Sequence, residues 1–146
     1  MIHVTNQQSR VPIPEGKVRR LAAGILGRRN LSVAFVTNAA IRKINRRFLQ
    51  HDFATDVISF PLAPSGAEGV GPDGDLFGEL VISAEYAAGE ARTRKIPVEE
   101  ELLRYVAHGS LHLLGYDDHR PADRARMWKR QERELARVVR PARPPR

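Results

Sequence analysis

The sequence predicts a single α+β domain at residues 1–138, in which helices surround a small mixed β-sheet and one helix lies at the centre. Three observations support this prediction. Short segments in the first half alternate apolar and polar residues and are rich in β-branched side chains, as strands are. Later segments repeat apolar residues every three or four positions, as amphipathic helices do. The length of 146 residues, with 42% hydrophobic and 28% charged residues, suits one domain with its own core.

Four strands are predicted before residue 84. They are IHVTN at 2–6, LSVAFVT at 31–37, DVISFPL at 56–62 and ELVIS at 79–83. Two helices are predicted between them, one at 14–30 and one at 39–49 that Asn38 is expected to cap. Residues 63–78 contain five Gly and two Pro, which predicts a flexible loop between two strands.

Three more helices are predicted, at 84–95, 98–115 and 121–139. The second of these begins with three glutamates, which favour the positive end of the helix dipole, and Gly115 suits the position after its C-terminus. Its apolar composition predicts that it is the central, buried helix. Residues 139–146 are expected to form a disordered basic tail.

Positive charge is concentrated at the C-terminal end of the chain. Residues 120–146 contain ten Lys or Arg and three acids, and the difference of +7 equals the net charge of the whole chain. A basic segment on a nearly neutral body predicts a polyanionic partner, with nucleic acid as the first choice. The alternative is a solvated helix face followed by a disordered tail.

Several classes of protein are excluded by composition. The chain has no cysteine, which excludes disulfides, thiolate metal sites and a cysteine nucleophile, so any zinc site must use imidazole and carboxylate groups. The first residues lack the pattern of a signal peptide, and no apolar run reaches the roughly 20 residues that span a membrane. We therefore expect a cytoplasmic protein with no membrane partner.

The segment HGSLHLLGYDDH at 108–119 predicts a metal site. His108 and His112 are four residues apart, which places them on one face of a helix, about 5–6 Å apart at Cβ. A catalytic zinc site has three protein ligands and leaves one position to water. Gly115 permits the chain to reverse, so that Asp118 or His119 can supply the third ligand. The competing interpretation is two core histidines with a surface neighbour.

This segment resembles the H-G-x-L-H-L-x-G-Y-D-H signature of the YbeY family of rRNA-maturation endoribonucleases. INRRFLQHDFATDVISFP at 44–61 and GELVIS at 78–83 are similar to other segments of that family, so the resemblance covers roughly residues 30–130. It implies an α+β fold, a three-ligand site for one Zn²⁺, and cleavage of single-stranded RNA in rRNA maturation and ribosome quality control. The implied partners are rRNA and ribosomal particles.

The sequence departs from the family pattern at two positions. The family's third histidine corresponds to Asp118, and His119 follows it. We expect His119 to be the third ligand, because three imidazoles leave the ion positively charged and best able to acidify water, with Asp118 as the alternative. The family's arginine in N-x-x-[YF]-R is replaced by Leu49. Arg46, Arg47 or His51 could substitute for it.

Further residues are candidates for the site. His51 and Glu79 are candidates for catalysis, by approaching the metal or orienting a ligand, although a turn and a strand-edge surface position are the alternatives. Thr55 and Asp56 are expected to satisfy backbone groups where a strand begins. The candidates for RNA binding are Arg46, Arg47, Arg120 and Arg124. Aromatic side chains that could stack on bases are Phe48, Phe53, Tyr86, Tyr105, Tyr116 and Trp128, most of them expected in the core.

The resulting hypothesis is metal-assisted hydrolysis of a phosphodiester, in which the ion activates water and no glutamate base is needed. Gly109 stands where the zincin motif has that glutamate, which argues against a metalloprotease. Unpaired RNA is the expected substrate because its bases can be splayed into a cleft. One alternative is a metal-binding ribosome-assembly factor with little or no nuclease activity. Another is a hydrolase of small substrates, which would leave the basic segment unexplained.

Overall fold

The structure, a computed structural model, describes residues 1–62 and 75–139. In chain order these residues form β1 (Ile2–Asn6), α1 (Glu15–Leu26), β2 (Asn30–Val36), α2 (Asn38–Leu49), β3 (Val57–Pro61), β4 (Leu76–Ser83), α3 (Ala84–Arg94), α4 (Val98–Leu113) and α5 (Pro121–Val138). The predicted α+β fold is confirmed. The predicted tail, from residue 140 onward, and most of the predicted loop, at 63–74, lie outside the described residues. Residues 76–78, also predicted as loop, belong to β4.

The sheet is mixed, with strand order β1-β2-β4-β3. β1, β2 and β4 run parallel, and β3 pairs antiparallel with β4. Successive side chains of a strand point to opposite faces. One face supplies the larger core, which includes Val33, Phe35, Leu80 and Ile82. The other face packs against α2 in a smaller cluster made of Ala34, Val36, Ile41, Ile58 and Val81.

Helix α4 lies at the centre of the larger core, as predicted, in contact with α1, α3, α5, β3 and β4. From Glu101 to Leu113, every residue is buried except His108 and His112. A Cβ atom at Gly109 would lie 2.8 Å from Leu80 Cδ2, so glycine is what allows α4 to approach β4 this closely. Since the rest of Glu101–Leu113 is buried, the two histidines are the residues of this stretch that are partly exposed at the surface.

The start of α2 differs from the prediction. Thr37, not Asn38, caps the helix, and its side chain accepts a hydrogen bond from Ala40 N at 3.1 Å. The Asn38 side chain instead accepts one from Ser83 Oγ at 2.6 Å. Since Ser83 caps α3, this contact ties the starts of the two helices together.

Within residues 1–62 and 75–139, no helix has the length and apolar character needed to cross a membrane.

Candidate metal centre

His108 and His112 point their Nε2 atoms at each other from one face of α4, at a separation of 3.1 Å. The Oδ2 atom of Asp118 lies 3.7 Å from His108 Nε2 and 3.5 Å from His112 Nε2. All three side chains are partly exposed. The structure thus brings two imidazoles and one carboxylate together at the surface end of the central helix.

A tight turn after α4 delivers Asp118 to the histidines. Gly115 has a φ of 101°, a conformation that favours glycine, and its N–H donates to His112 O at 3.0 Å. The Tyr116 hydroxyl accepts a hydrogen bond from Arg130 Nη1 at 2.9 Å, which holds the turn against α5. The chain therefore reverses directly after the helix, as the sequence predicted.

The proton of the His112 ring is held on Nδ1, 3.0 Å from the carbonyl oxygen of Tyr116. A carbonyl oxygen can only accept a hydrogen bond, so Nδ1 must donate. Nε2 of the neutral ring then presents a lone pair to Asp118 and His108. The turn thus fixes the tautomer that a metal ligand requires.

Gln131 fixes the same tautomer in His108. Its Oε1 lies 2.8 Å from His108 Nδ1, and its Nε2 donates to Glu132 Oε2 at 3.0 Å. Because a carboxylate only accepts, the amide cannot be reversed, and His108 Nδ1 must donate. Gln131 is fully buried, which leaves it few other orientations. An amide or carboxylate that orients a ligand imidazole in this way is a frequent feature of metal sites.

Ion pairs hold Glu132 in place. Arg104 donates to both carboxylate oxygens of Glu132, at 3.1 and 2.9 Å, and to Glu101 Oε1 at 2.8 Å. Burial alone would raise the pKa of Glu132, but the hydrogen bonds from Arg104 and Gln131, together with the positive charges of Arg104 and Arg94, outweigh it and lower the pKa. The network therefore extends from Arg104 through Glu132 and Gln131 to the imidazole of His108.

The residues present fit a divalent transition ion. With both Nδ1 protons committed, both Nε2 atoms are acceptors, and a cation between them and the carboxylate would stabilise the arrangement. Tetrahedral Zn²⁺ with ligands at 2.0–2.1 Å requires about 3.3 Å between ligand atoms. The observed separations of 3.1, 3.5 and 3.7 Å bracket that value. His108, His112 and Asp118 are thus a group that could hold one metal ion.

His119, the third ligand preferred from the sequence, is not in this group. Its side chain is 87% exposed, and Nε2 lies 3.6 Å from Asp117 Oδ1. Its backbone N–H also donates to Asp117 Oδ1, and that hydrogen bond lowers the pKa of the Asp117 carboxyl. The turn at Gly115 directs Asp118 toward α4 and leaves His119 outside, so the geometry favours the alternative ligand over the preferred one.

Neither candidate for catalysis is brought to the histidines. His51 is exposed, packs its ring on Phe53 with centroids 5.3 Å apart, and lines neither cavity beside the histidines. Gly78 and Leu80 face α4, so Glu79 between them points to the opposite face of the sheet, where it pairs with Phe60. The expectation that Glu79 acts on a ligand or water therefore disagrees with its position.

Cavities border the histidines on either side of α4, and the two described next are both lined by Asp56 and His108. The first, of about 340 Å³, lies between α3, α4 and α5 and includes Arg124 at its edge. The second, of about 350 Å³, lies between the end of α2, β3 and α4. Asp56 accepts a hydrogen bond from Val57 N at 2.7 Å, as predicted for a strand start, whereas Thr55 Oγ1 donates at 3.2 Å to the Asp56 carboxylate and not to a backbone group.

Leu49 lines the second cavity beside His108 and His112. The residue that replaces the family's arginine therefore lies next to the candidate metal group. Arg46 and Arg47 are exposed on α2 but line neither cavity. Arg120 is exposed directly before α5. Of the four arginines predicted to bind RNA, only Arg124 lies beside the histidines.

Gln131 is a residue of the site that the sequence did not predict, whereas Ser59 matches the family pattern but was given no role. Gln131 occupies the buried stripe of α5 between Met127 and Leu135, and a polar residue in such a stripe was the available signal. Ser59 donates from Oγ to Gly109 O at 3.3 Å and lines the second cavity. Ser59 stands in the segment TDVISFP that resembles the family, and its role there follows only from this contact.

Comparisons with known proteins match most of the chain to one family. A family model described as Endoribonuclease YbeY matches residues 3–139. The chain is 51% identical over 116 residues to the Endoribonuclease YbeY of Anaeromyxobacter dehalogenans, covering 77% of this chain and 56% of that protein. It therefore spans little more than half of that relative's length. It is 40% identical to the YbeY of Syntrophotalea carbinolica, covering 92% and 93% of the two chains. The solution structure of TM1509 from Thermotoga maritima matches with a TM-score of 0.68 at 27% identity, covering 94% and 89%.

Proposed function

This chain belongs to the YbeY endoribonuclease family, and on that premise we propose that it is a metal-dependent endoribonuclease acting on single-stranded RNA in rRNA maturation and ribosome quality control. The observation that supports this most directly is the convergence of His108 Nε2, His112 Nε2 and Asp118 Oδ2. Zn²⁺ is the proposed ion, and rRNA and ribosomal particles are the proposed partners.

The protein's own groups prepare the site before RNA arrives. Gln131 and the Tyr116 carbonyl hold the imidazole protons on Nδ1, which keeps both Nε2 lone pairs directed at the cluster. An ion bound there would act as a Lewis acid on a phosphoryl oxygen and supply an activated water. Asp118 in place of a third imidazole adds a negative charge, so we expect a weaker Lewis acid than a three-histidine site would give.

Arginines at the start of α5 and on α2 are proposed to bind the RNA backbone. Arg124 lies at the edge of the first cavity, with Arg120 one turn earlier. Arg46 and Arg47 are exposed on α2, whose last residue, Leu49, lines the second cavity. Contacts of this kind position a strand without reading its sequence and weaken steeply with salt.

The alternative function is a metal-binding ribosome-assembly factor with little or no nuclease activity. One observation favours it: among the described residues that line the second cavity there is no Lys or Arg. The guanidinium that the family pattern would supply at Leu49 is missing, and with it a group that could stabilise the phosphate during cleavage.

Purified protein of measured metal content, incubated with a single-stranded rRNA fragment, separates the two functions. We expect cleavage that His112→Ala abolishes while RNA binding persists. His3→Ala is the matched control, since His3 lies in β1, away from the cluster, and should change neither property. RNA binding without cleavage under any divalent ion would overturn the nuclease proposal in favour of the assembly factor.

A further inference from the structure

We propose that the first cavity is a nucleobase subsite, in which an unpaired base of the RNA stacks on Trp128 while its phosphate lies beside Arg124, next to the metal group. The inference rests on the proposed function, because it names the part of the substrate that this site would hold. It concerns the cavity between α3, α4 and α5, of about 340 Å³.

The cavity is a cleft between three helices. Its floor is the face of α4 formed by Glu101, Arg104, Tyr105 and His108. One wall is α3, which contributes Tyr86, Glu90 and Arg94, and the other is α5, which contributes Arg124, Met127, Trp128 and Gln131. Its volume is within the range of small-ligand sites, about 300–1,000 Å³.

The lining of the cleft runs from the ion-paired Glu101 to the metal group. Arg94 and Arg104 both pair with the buried Glu101, at 3.0 and 2.8 Å, which fixes the far end. His108 and Asp118 line the near end. His108 follows Glu101 by seven positions in α4, which corresponds to about 10 Å along the helix. A base with part of its ribose fits this length if its phosphate stays at the near end.

Trp128 supplies the apolar surface for stacking. It is the single tryptophan of the chain, and it is 50% exposed although the neighbouring Met127 and Gln131 are buried. Arg124 precedes it by one turn on the same face of α5, where a guanidinium can contact the phosphate backbone. Aromatic rings bind unpaired bases of any sequence through their π-faces.

The opposite wall offers hydrogen-bonding groups for the edge of a base. Within the described residues, the side chains of Tyr86 and Glu90 make no hydrogen bond or ion pair. Burial, together with the charges of Glu90 and Asp56, raises the pKa of Tyr86, so its hydroxyl stays a donor at neutral pH. The cleft therefore provides a stacking face on one side and an unused donor and acceptor on the other.

The test uses metal-free full-length protein and a short single-stranded RNA oligonucleotide, so that binding is measured without cleavage. The oligonucleotide should quench the fluorescence of Trp128. By anisotropy of a labelled oligonucleotide, Trp128→Ala should bind about tenfold more weakly, whereas Trp128→Phe should retain most of the affinity. Phe53→Ala is the matched control, because Phe53 is 55% exposed but lines neither cavity.

Unchanged Trp128 fluorescence at saturation, equal affinity of Trp128→Ala and the wild type, or no binding by the wild type would each overturn the inference. Its failure is distinguishable from failure of the proposed function. Cleavage of RNA by a protein whose Trp128 does not respond would refute the subsite alone. Quenching and a loss of affinity in Trp128→Ala, without cleavage under any ion, would refute the nuclease proposal alone.

Discussion

Gln131 Oε1 accepts a hydrogen bond from His108 Nδ1 at 2.8 Å, across the interface between α4 and α5. The contact connects a ligand imidazole to the ion pair of Arg104 with Glu132, through a buried amide whose orientation is fixed. The geometry of the candidate metal group is therefore set by the packing of two helices as well as by the spacing of the histidines.

Replacing the amide should release the His108 ring. Gln131→Leu keeps the size of the side chain but removes the acceptor, so the proton of His108 is no longer held on Nδ1. We expect metal affinity to fall by roughly 10- to 100-fold, the usual cost of losing such a contact. Titration calorimetry measures the affinity, and ¹⁵N shifts of the imidazole report the tautomer. Arg133→Leu, exposed on the same helix, is the control. Unchanged tautomer and affinity in Gln131→Leu would refute the positioning role.

The Glu132 carboxyl should make stability depend on pH. Its pKa lies below the ordinary value of 4.5, because the hydrogen bonds from Arg104 and Gln131 and the charges of Arg104 and Arg94 together outweigh the effect of burial. A lowered pKa means that the stabilisation is present above the unfolded pKa and is lost as the pH falls through the folded one. Glu132→Gln should therefore cost about 1–2 kcal/mol of unfolding free energy at pH 7, and less below pH 4.

Urea unfolding of the metal-free protein at several pH values measures this effect. Glu15→Gln, a half-exposed acid at the start of α1, serves as the control and should change stability by less than about 0.5 kcal/mol. An equal difference between wild type and Glu132→Gln at pH 7 and pH 3 would contradict the account.

Gly109 should be intolerant of any side chain. The added Cβ would lie 2.8 Å from Leu80 Cδ2 and 3.2 Å from Ser59 Oγ, so either the fully buried Leu80 side chain or α4 itself must shift. Gly109→Ala should cost about 1–3 kcal/mol by chemical denaturation. Gly89→Ala makes the same change on α3 with nothing within 4 Å, and should raise stability by up to about 1 kcal/mol. Equal stability of the two variants would contradict the close packing of α4.

An arginine at position 49 should raise the nuclease activity of the site. Leu49 is 47% exposed and lines the cavity beside His108 and His112, which lacks Lys and Arg among its described residues. Leu49→Arg should raise kcat/KM on single-stranded RNA by about tenfold, because a guanidinium there can stabilise charge on the phosphate. Leu62→Arg adds the same charge outside the cavities. An equal gain in both variants would show that only net charge matters.

The sequence predicted the elements because their patterns are local. The spacing of apolar residues located all nine helices and strands of the described chain. The turn after α4 was expected because Gly115 is a glycine directly after the end of the helix. The cap of α2 was misassigned because Thr37 and Asn38 are both good caps, and the choice depends on Ser83, which is distant in sequence. Local pattern cannot resolve such a contact.

The site was predicted less completely than the fold. Asp118 and His119 are adjacent, and which one points at α4 depends on the backbone angles after Gly115, which no pattern encodes. The alternation in GELVIS separates Glu79 from Gly78 and Leu80, but both faces of the sheet are covered, so alternation alone cannot say which face meets the histidines. Residue spacing identified the paired imidazoles, and only packing identified their partners.

The most direct test is the metal stoichiometry and affinity of Asp118→Ala compared with His119→Ala, measured on purified protein loaded with Zn²⁺. We predict that His119→Ala binds one ion per chain with wild-type affinity, whereas Asp118→Ala loses at least about tenfold in affinity, as expected when one of three ligands is removed. Full binding by Asp118→Ala together with loss of binding in His119→Ala would contradict the assignment of the third ligand and the geometry on which the proposed function rests.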